Sequence, residues 1–273
     1  MRLLLLTALA MTAFAANSVL TRLGVAQYGT APEAFAVIRA ASGALVLCLL
    51  AWARGGGPAW RRAGLWDAAA LALYLAGFSL AYRSLDTGTG ALILFGGVQI
   101  TMFAGAVLGG ERVPLLRWIG AGVALLGLAV LLRPGGQIAP LGAGLMAASA
   151  LGWGLFSLRG RGVRDPLAAS AAAFALATPM LLPLLALSGP VTAGGALTAM
   201  LAGAVTSGLG YWLWYGLLPR LGATRASVAQ LSVPVLAALG GLMLGEALTA
   251  RLILSSAIVI GGLALSLLPQ RNP

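Results

Sequence analysis

Long apolar runs follow one another along this chain with only short polar breaks between them. A helix crossing about 30 Å of hydrocarbon needs roughly 20 residues. Ten segments come near that length: 3–23, 32–52, 65–82, 89–108, 116–132, 141–158, 168–187, 196–218, 226–244 and 252–268. The breaks carry turn residues, as in Gly55-Gly56-Gly57-Pro58, Pro134-Gly135-Gly136, Asp165-Pro166 and Gly189-Pro190. Segment length, and the lack of period-two alternation, predict helices rather than barrel strands. The pattern therefore predicts an all-α integral membrane protein with ten transmembrane helices. Met1-Arg2, the apolar stretch after it and Ala13-Phe14-Ala15 imitate a secretory signal with its cleavage site. The stretch is read here as the first membrane helix.

The chain repeats itself. Gly110-Glu111 ends the fourth segment and Gly245-Glu246 ends the ninth, 135 residues later. At the same offset Val98 meets Val233, Gly105 meets Gly240, Ala91 meets Ala226 and Gly127 meets Gly262. Two five-helix units are expected, residues 1–138 and 139–273. A duplicated unit with an odd number of spans inserts its second copy upside down. Glu111 and Glu246 are then expected on opposite membrane faces, as in carriers built from inverted repeats.

Composition agrees with a membrane protein. The chain is 60% hydrophobic and 8% charged, with mean hydropathy +0.98. All 17 basic residues are Arg, and His is absent. They are scattered among apolar segments and form no nucleic-acid-binding stripe. With the N-terminus in the cytoplasm, Arg2, Arg54, Arg61, Arg62, Arg112, Arg117, Arg159, Arg161, Arg164, Arg220, Arg225 and Arg271 fall inside. Only Arg22, Arg83, Arg133 and Arg251 fall outside, so both termini are expected to be cytoplasmic. Cys48 is the single cysteine, which excludes an internal disulfide and a Cys metal cluster. No metal or cofactor is expected.

Taken together, these features resemble the drug/metabolite transporter superfamily, in its ten-helix EamA-type branch. The resemblance spans the whole chain. It rests on Gly110-Glu111-Arg112 and Gly245-Glu246-Ala247. It rests also on the start of each half, Phe14-Ala15-Ala16-Asn17 and Trp153-Gly154-Leu155-Phe156. The aromatic ends Ala81-Tyr82 and Trp214-Tyr215 fit as well. Within the branch the chain looks most like the YddG-type amino acid exporters. The family often has Pro in the fourth helix of each half. Pro234 matches, but Gln99 stands at the other position, and Phe14-Ala15 replaces the first Trp-Gly.

Polar groups deep in lipid are costly and face a partner or a cavity. Asn17 and Ser18, Gln99 and Thr101, and Gln230 and Ser232 are such groups. Amides both donate and accept, which suits a zwitterion; between helices they also serve as simple packing bonds. Tyr74, Phe78 and Tyr82 share one helix face, as do Tyr211, Trp214 and Tyr215. Phe95 and Trp153 are grouped with them. Aromatic walls with a few polar groups suit an apolar or aromatic ligand; the alternative for Tyr82, Trp214 and Tyr215 is an interfacial belt. Pro179, Pro183 and Pro234 interrupt spans and are candidate hinges or static bends. Gly105-x-x-x-Gly109 and Gly241-x-x-x-Gly245 are read as close-packing stripes. Arg39, the one ionised group well inside a span, lies two turns into the second segment and is expected to snorkel to the surface, the alternative being a substrate role.

The acids Glu33, Asp67, Asp86, Glu111, Asp165 and Glu246 all fall at segment ends or in loops. Without a midspan carboxylate or His, no proton relay is apparent, and facilitative transport is expected. The leading function is alternating-access export of neutral or aromatic amino acids or related small metabolites. The first alternative is efflux of cationic drugs, weakened because Asn17 and Ser18 stand where small multidrug pumps of the superfamily carry Glu. Phosphorylated sugars are disfavoured for want of a deep cation. A lipid-modifying enzyme lacks a catalytic constellation. Expected partners are a small-molecule substrate and the bilayer, with no nucleic acid, and the chain is expected to act as a monomer.

Overall fold

The computed structural model describes residues 1–110, 114–132, 138–160 and 163–266; for 61–63, 218–219, 222–228 and 266 it describes the backbone alone. The described residues contain eleven α-helices and no strand. These are α1 (Arg2–Arg22), α2 (Pro32–Ala53), α3 (Trp60–Ala81), α4 (Thr87–Leu108), α5 (Leu115–Leu132) and α6 (Pro140–Gly160). They continue as α7 (Pro166–Leu181), α8 (Ala193–Leu201), α9 (Gly210–Gln230), α10 (Ser232–Met243) and α11 (Ala250–Ser266). Eight stretches are long and apolar enough to cross a membrane, and two shorter apolar helices complete the set. The protein is an all-α, ten-helix, multi-pass membrane protein.

Local chemistry sets the helix ends. Pro32 and Pro166 open α2 and α7, where a missing N–H costs nothing. Asp165 caps α7 by accepting from the amides of Leu167 and Ala168, each at 3.1 Å. Gly64, at φ 60°, breaks α3, so its crossing part begins there. Pro179 and Pro183 end α7 at Leu181, and a 3₁₀ segment, Leu182–Leu187, follows. Pro234 lies in the first turn of α10, four residues after Gln230, the last residue of α9. A proline ring clashes with the carbonyl four residues back, so the break at Leu231 falls where Pro234 forces it.

The structure departs from the sequence reading in two helices. The span expected at 196–218 is three pieces: α8, a π-helical segment Ala202–Leu209, and α9. Helix also continues through 219–225, which the sequence reads as a loop. The stretch holds Pro219 and Gly222, both poor helix formers, so local propensity does not account for this helix. Glu111 and Arg112, Arg133, Arg161, Arg271 and the 134–136 break lie outside the described residues.

Two membrane faces follow from the crossings. Met1 lies at one face. At the other, Arg22 at the end of α1 meets the end of α3, the start of α4 and the loop after α10. Helix α4 therefore ends at the Met1 face and α10 at the Arg22 face. Both ends close the same way. Gly110 (φ 77°) and Gly245 (φ 81°) take the left-handed conformation that stops a helix. Their amides donate to Val107 and Leu242, both at 3.0 Å. The two Gly-Glu marks are thus equivalent helix stops on opposite faces. Of the two proposed glycine stripes, only Gly105 and Gly241 meet neighbouring elements. Gly109 meets only its own helix, and Gly245 meets nothing.

Packing exchanges the halves as well. α5 packs on α11, α2 on α7 and α4 on α10. Gly105 makes room for Leu158 of α6, while its match Gly240 makes room for Val19 of α1. A side chain at Gly127 would lie 2.7 Å from the Val259 Cγ2 of α11. One at Gly262 would lie 2.6 Å from the Ala124 amide of α5. Trp52, Trp60, Trp66 and Trp118 are exposed near the Met1 face and form an interfacial belt. Gly127→Val and Gly262→Val should each lower stability in detergent by about 1–3 kcal/mol through overpacking. Gly122→Val, which meets nothing within 4 Å, should not; equal melting of all three would contradict the α5–α11 contact.

Candidate functional site

Three helices from the first half and two from the second surround a central cavity. Phe14 and Asn17 come from α1, Tyr74 and Phe78 from α3, and Leu94 and Phe95 from α4. Trp153 comes from α6 and Tyr211 from α9. The space measures about 280 Å³, its mouth included. Trp153 is the hinge-side wall, with its ring 5.0 Å from Tyr74 and 4.6 Å from Tyr211. Phe14 sets its edge against Tyr211 and Trp214, at 5.8 and 5.7 Å. Trp214 and Tyr82 are buried in the interior, so neither is a belt residue. Tyr82 packs edge-on to Phe78 at 4.8 Å, at the Arg22 end of the cavity.

The Tyr74 hydroxyl is the polar hub. It accepts from Asn17 Nδ2 at 3.3 Å and from Arg39 Nη2 at 2.7 Å, and the Tyr211 hydroxyl lies 3.0 Å away. Ser149 of α6 holds the Tyr74 backbone by donating to its carbonyl at 2.9 Å. Arg39 does not snorkel. Its relative exposure is 0%, and its guanidinium carbon lies 5.0 and 4.7 Å from the ring centres of Tyr74 and Phe78. Its Nε donates to Ser207 Oγ at 3.1 Å, in the π-helical segment. Helix α2 and that segment press together where Gly203 faces the Arg39 carbonyl. A side chain held by packing on both sides cannot reach the surface, which is why the expectation failed. The deep cation thought missing from the sequence is therefore present.

Gln99, Gln230 and Pro234 meet in a neighbouring cleft of about 250 Å³ with Phe95, Gly96 and Val259. Phe95 lines both spaces and forms the wall between them. The positions at which the two repeats differ, Phe95 against Gln230 and Gln99 against Pro234, thus converge. Tyr215 stands apart from the central cavity. It lines a vestibule of about 390 Å³, mouth included, with Asp67, Phe156 and Arg159. This lies at the Met1 face, where Arg159 pairs with Asp67. Phe156 links it to the cavity wall, 5.7 Å from Trp153.

The opposite end is latched. Glu246 accepts from Arg22 Nε at 2.9 Å, from the Thr87 amide at 2.7 Å and from the Thr87 hydroxyl at 3.1 Å. Arg22 also pairs with Asp86 at 3.1 Å and donates to the Tyr82 carbonyl at 3.0 Å. One carboxylate thus neutralises a cation and caps the N-terminus of α4. The sequence reading left Phe14 and Ser207 out of the site, and it favoured the surface over the site for Arg39. For Arg39 the signal was visible, since it is the one charge well inside a span.

Comparison with known proteins now has a geometry to stand on. Residues 140–268 match the EamA-like transporter family. The chain is 49% identical over 275 residues to Uncharacterized protein PA1977 of Pseudomonas aeruginosa, covering 98% of this chain and 96% of that one. A solved structure described only as "Crystal structure of protein" shares 20% identity with a TM-score of 0.70, covering 96% of both chains. At that identity the likeness speaks for the fold alone. The duplicated helix stops, the exchanged packing and the family match lead to one assignment: residues 140–268 form an EamA-like transporter family domain.

Proposed function

We propose that this transporter exports neutral amino acids, aromatic ones foremost, or related small metabolites by alternating access. The carrying observation is the aromatic cavity between the two halves, with a separate pocket at the Met1 face and an ion-pair cluster at the Arg22 face. Aromatic walls suit an apolar side chain. Asn17 Oδ1, buried without a partner, offers an acceptor for an ammonium group.

In this reading residues 1–138 and 139–273 rock against each other about a site where they meet. The Arg excess places the Met1 face, and both termini, in the cytoplasm of the inner membrane. The cavity then loads from inside. Pro179, Pro183 and Pro234 mark the points at which helix geometry changes, and serve as hinges. Among the described residues no carboxylate lines the central cavity or its neighbouring cleft, which supports facilitative transport; the ten helices of one chain suffice for the carrier. Cationic drugs are the weaker cargo, because the buried Arg39 would repel them.

Protein reconstituted in liposomes should move phenylalanine down its own gradient with no proton gradient imposed; strict dependence on a proton gradient would contradict the facilitative mode. Tyr74→Ala and Gln99→Ala should each slow that flux about tenfold or more while leaving the protein folded, the loss expected for one buried contact. Normal flux in both would remove these residues from the site. In a Cys48→Ala background, Leu94→Cys should react with an impermeant thiol reagent mainly from the Met1 face. Adding Glu246→Ala should raise labelling from the Arg22 face severalfold, and unchanged labelling would mean that Glu246 is no latch.

A further inference from the structure

We propose that Arg39 is the anion-binding group of this carrier, and that the cargo presents a single carboxylate to it. The inference rests on the carrier reading above and narrows its substrate class. Arginine stays protonated in proteins, and a buried charge is normally paired. Arg39 is fully buried in the membrane core, yet none of the ion pairs among the described residues includes it. Its neighbours are neutral: the hydroxyls of Tyr74 and Ser207 and the faces of Tyr74 and Phe78. Its Nη1 is buried without a hydrogen-bond partner. The positive charge is held in place and left without a countercharge.

The countercharge has somewhere to come from. Tyr74 and Phe78, on whose rings the guanidinium lies, both line the central cavity. Ser207 fixes Nε from the π-helical segment, and π-turns recur at functional sites. The planar guanidinium matches the planar carboxylate in shape and hydrogen-bond geometry. One cation balances one negative charge. A phosphoryl dianion would leave a surplus charge in the membrane, and an amine without a carboxylate would add a second positive one. The preferred cargo is a monocarboxylate with an aromatic or apolar body. α-Amino acids present the same carboxylate; their ammonium leaves one positive charge over, hydrogen-bonded but not neutralised by Asn17 Oδ1.

The test is thermal unfolding of the purified full-length protein with L-phenylalanine, 3-phenylpropionate, L-phenylalanine amide, 2-phenylethylamine and phenyl phosphate, at equal concentrations. The two carboxylates should raise the midpoint most, and the amide and the amine should not raise it. In Arg39→Gln the dissociation constants of both carboxylates should weaken about tenfold to a hundredfold, the loss of one charge-assisted bond. Arg39→Lys should retain part of the affinity. Equal stabilisation by the amide or amine, stronger stabilisation by phenyl phosphate, or none by either carboxylate would overturn the proposal on the unsubstituted protein alone, whether or not the variants fold. Phenylalanine flux without carboxylate-dependent stabilisation sinks the anchor and spares the carrier. Stabilisation by 3-phenylpropionate without amino acid flux does the reverse.

Discussion

A guanidinium without a carboxylate, enclosed where lipid would surround the protein, is the constraint on which this structure turns. Charge in such a place is costly unless the fold supplies partners. Here the partners come from two helical elements. Tyr74 rises from α3, Ser207 from the π-helical segment, and α2 carries Arg39 itself. The close contact of α2 with that segment at Gly203 removes the route by which the side chain would reach water. The same hydroxyl that steadies Arg39 is shared with Asn17 and Tyr211. Charge, amide and aromatic walls thereby form one coupled cluster, and altering any member disturbs the rest.

The scaffold around that cluster is a repeated solution to a simple problem. Each half must stop a helix sharply at a membrane face and pack the next helix tightly. Gly110 and Gly245 supply the stop with nearly the same backbone angle. Gly127 and Gly262 supply the tight contact, each facing the other half. Symmetry holds in the backbone and lapses in the side chains. Where Phe95 and Gln99 meet Gln230 and Pro234, the two halves present different chemistry to one cleft. A carrier made of identical halves would offer its cargo two equivalent poses.

The fold was legible because its signals are long. Apolar runs of membrane length and a match at one fixed offset survive errors of a few residues in any boundary. The aromatic set was legible too, since Tyr74, Phe78 and Tyr82 recur at helical spacing, and the structure buries all three. What the sequence concealed depends on contacts between distant segments. Arg39 and Ser207 are 168 residues apart, and nothing local distinguishes a trapped arginine from a snorkelling one. The π-helical turn at Ala202–Leu209 was hidden for the same reason. At 219–225 local signals misled, since Pro219, Gly222 and two Arg read as a break where the chain stays helical. The latch at Glu246 was half legible. Its place at a helix end was clear, but its bonds to Arg22 and Thr87 arise only when α1, α4 and α10 assemble.

The claim at the centre of this account is that a carboxylate completes the charge of Arg39 inside an aromatic cavity. An experimentally determined structure with phenylalanine bound tests it most directly. The account predicts the carboxylate within about 3 Å of the Arg39 guanidinium, with the ring among Tyr74, Trp153 and Tyr211. A ligand seated elsewhere, or one in the cavity with its carboxylate turned away from Arg39, would contradict it.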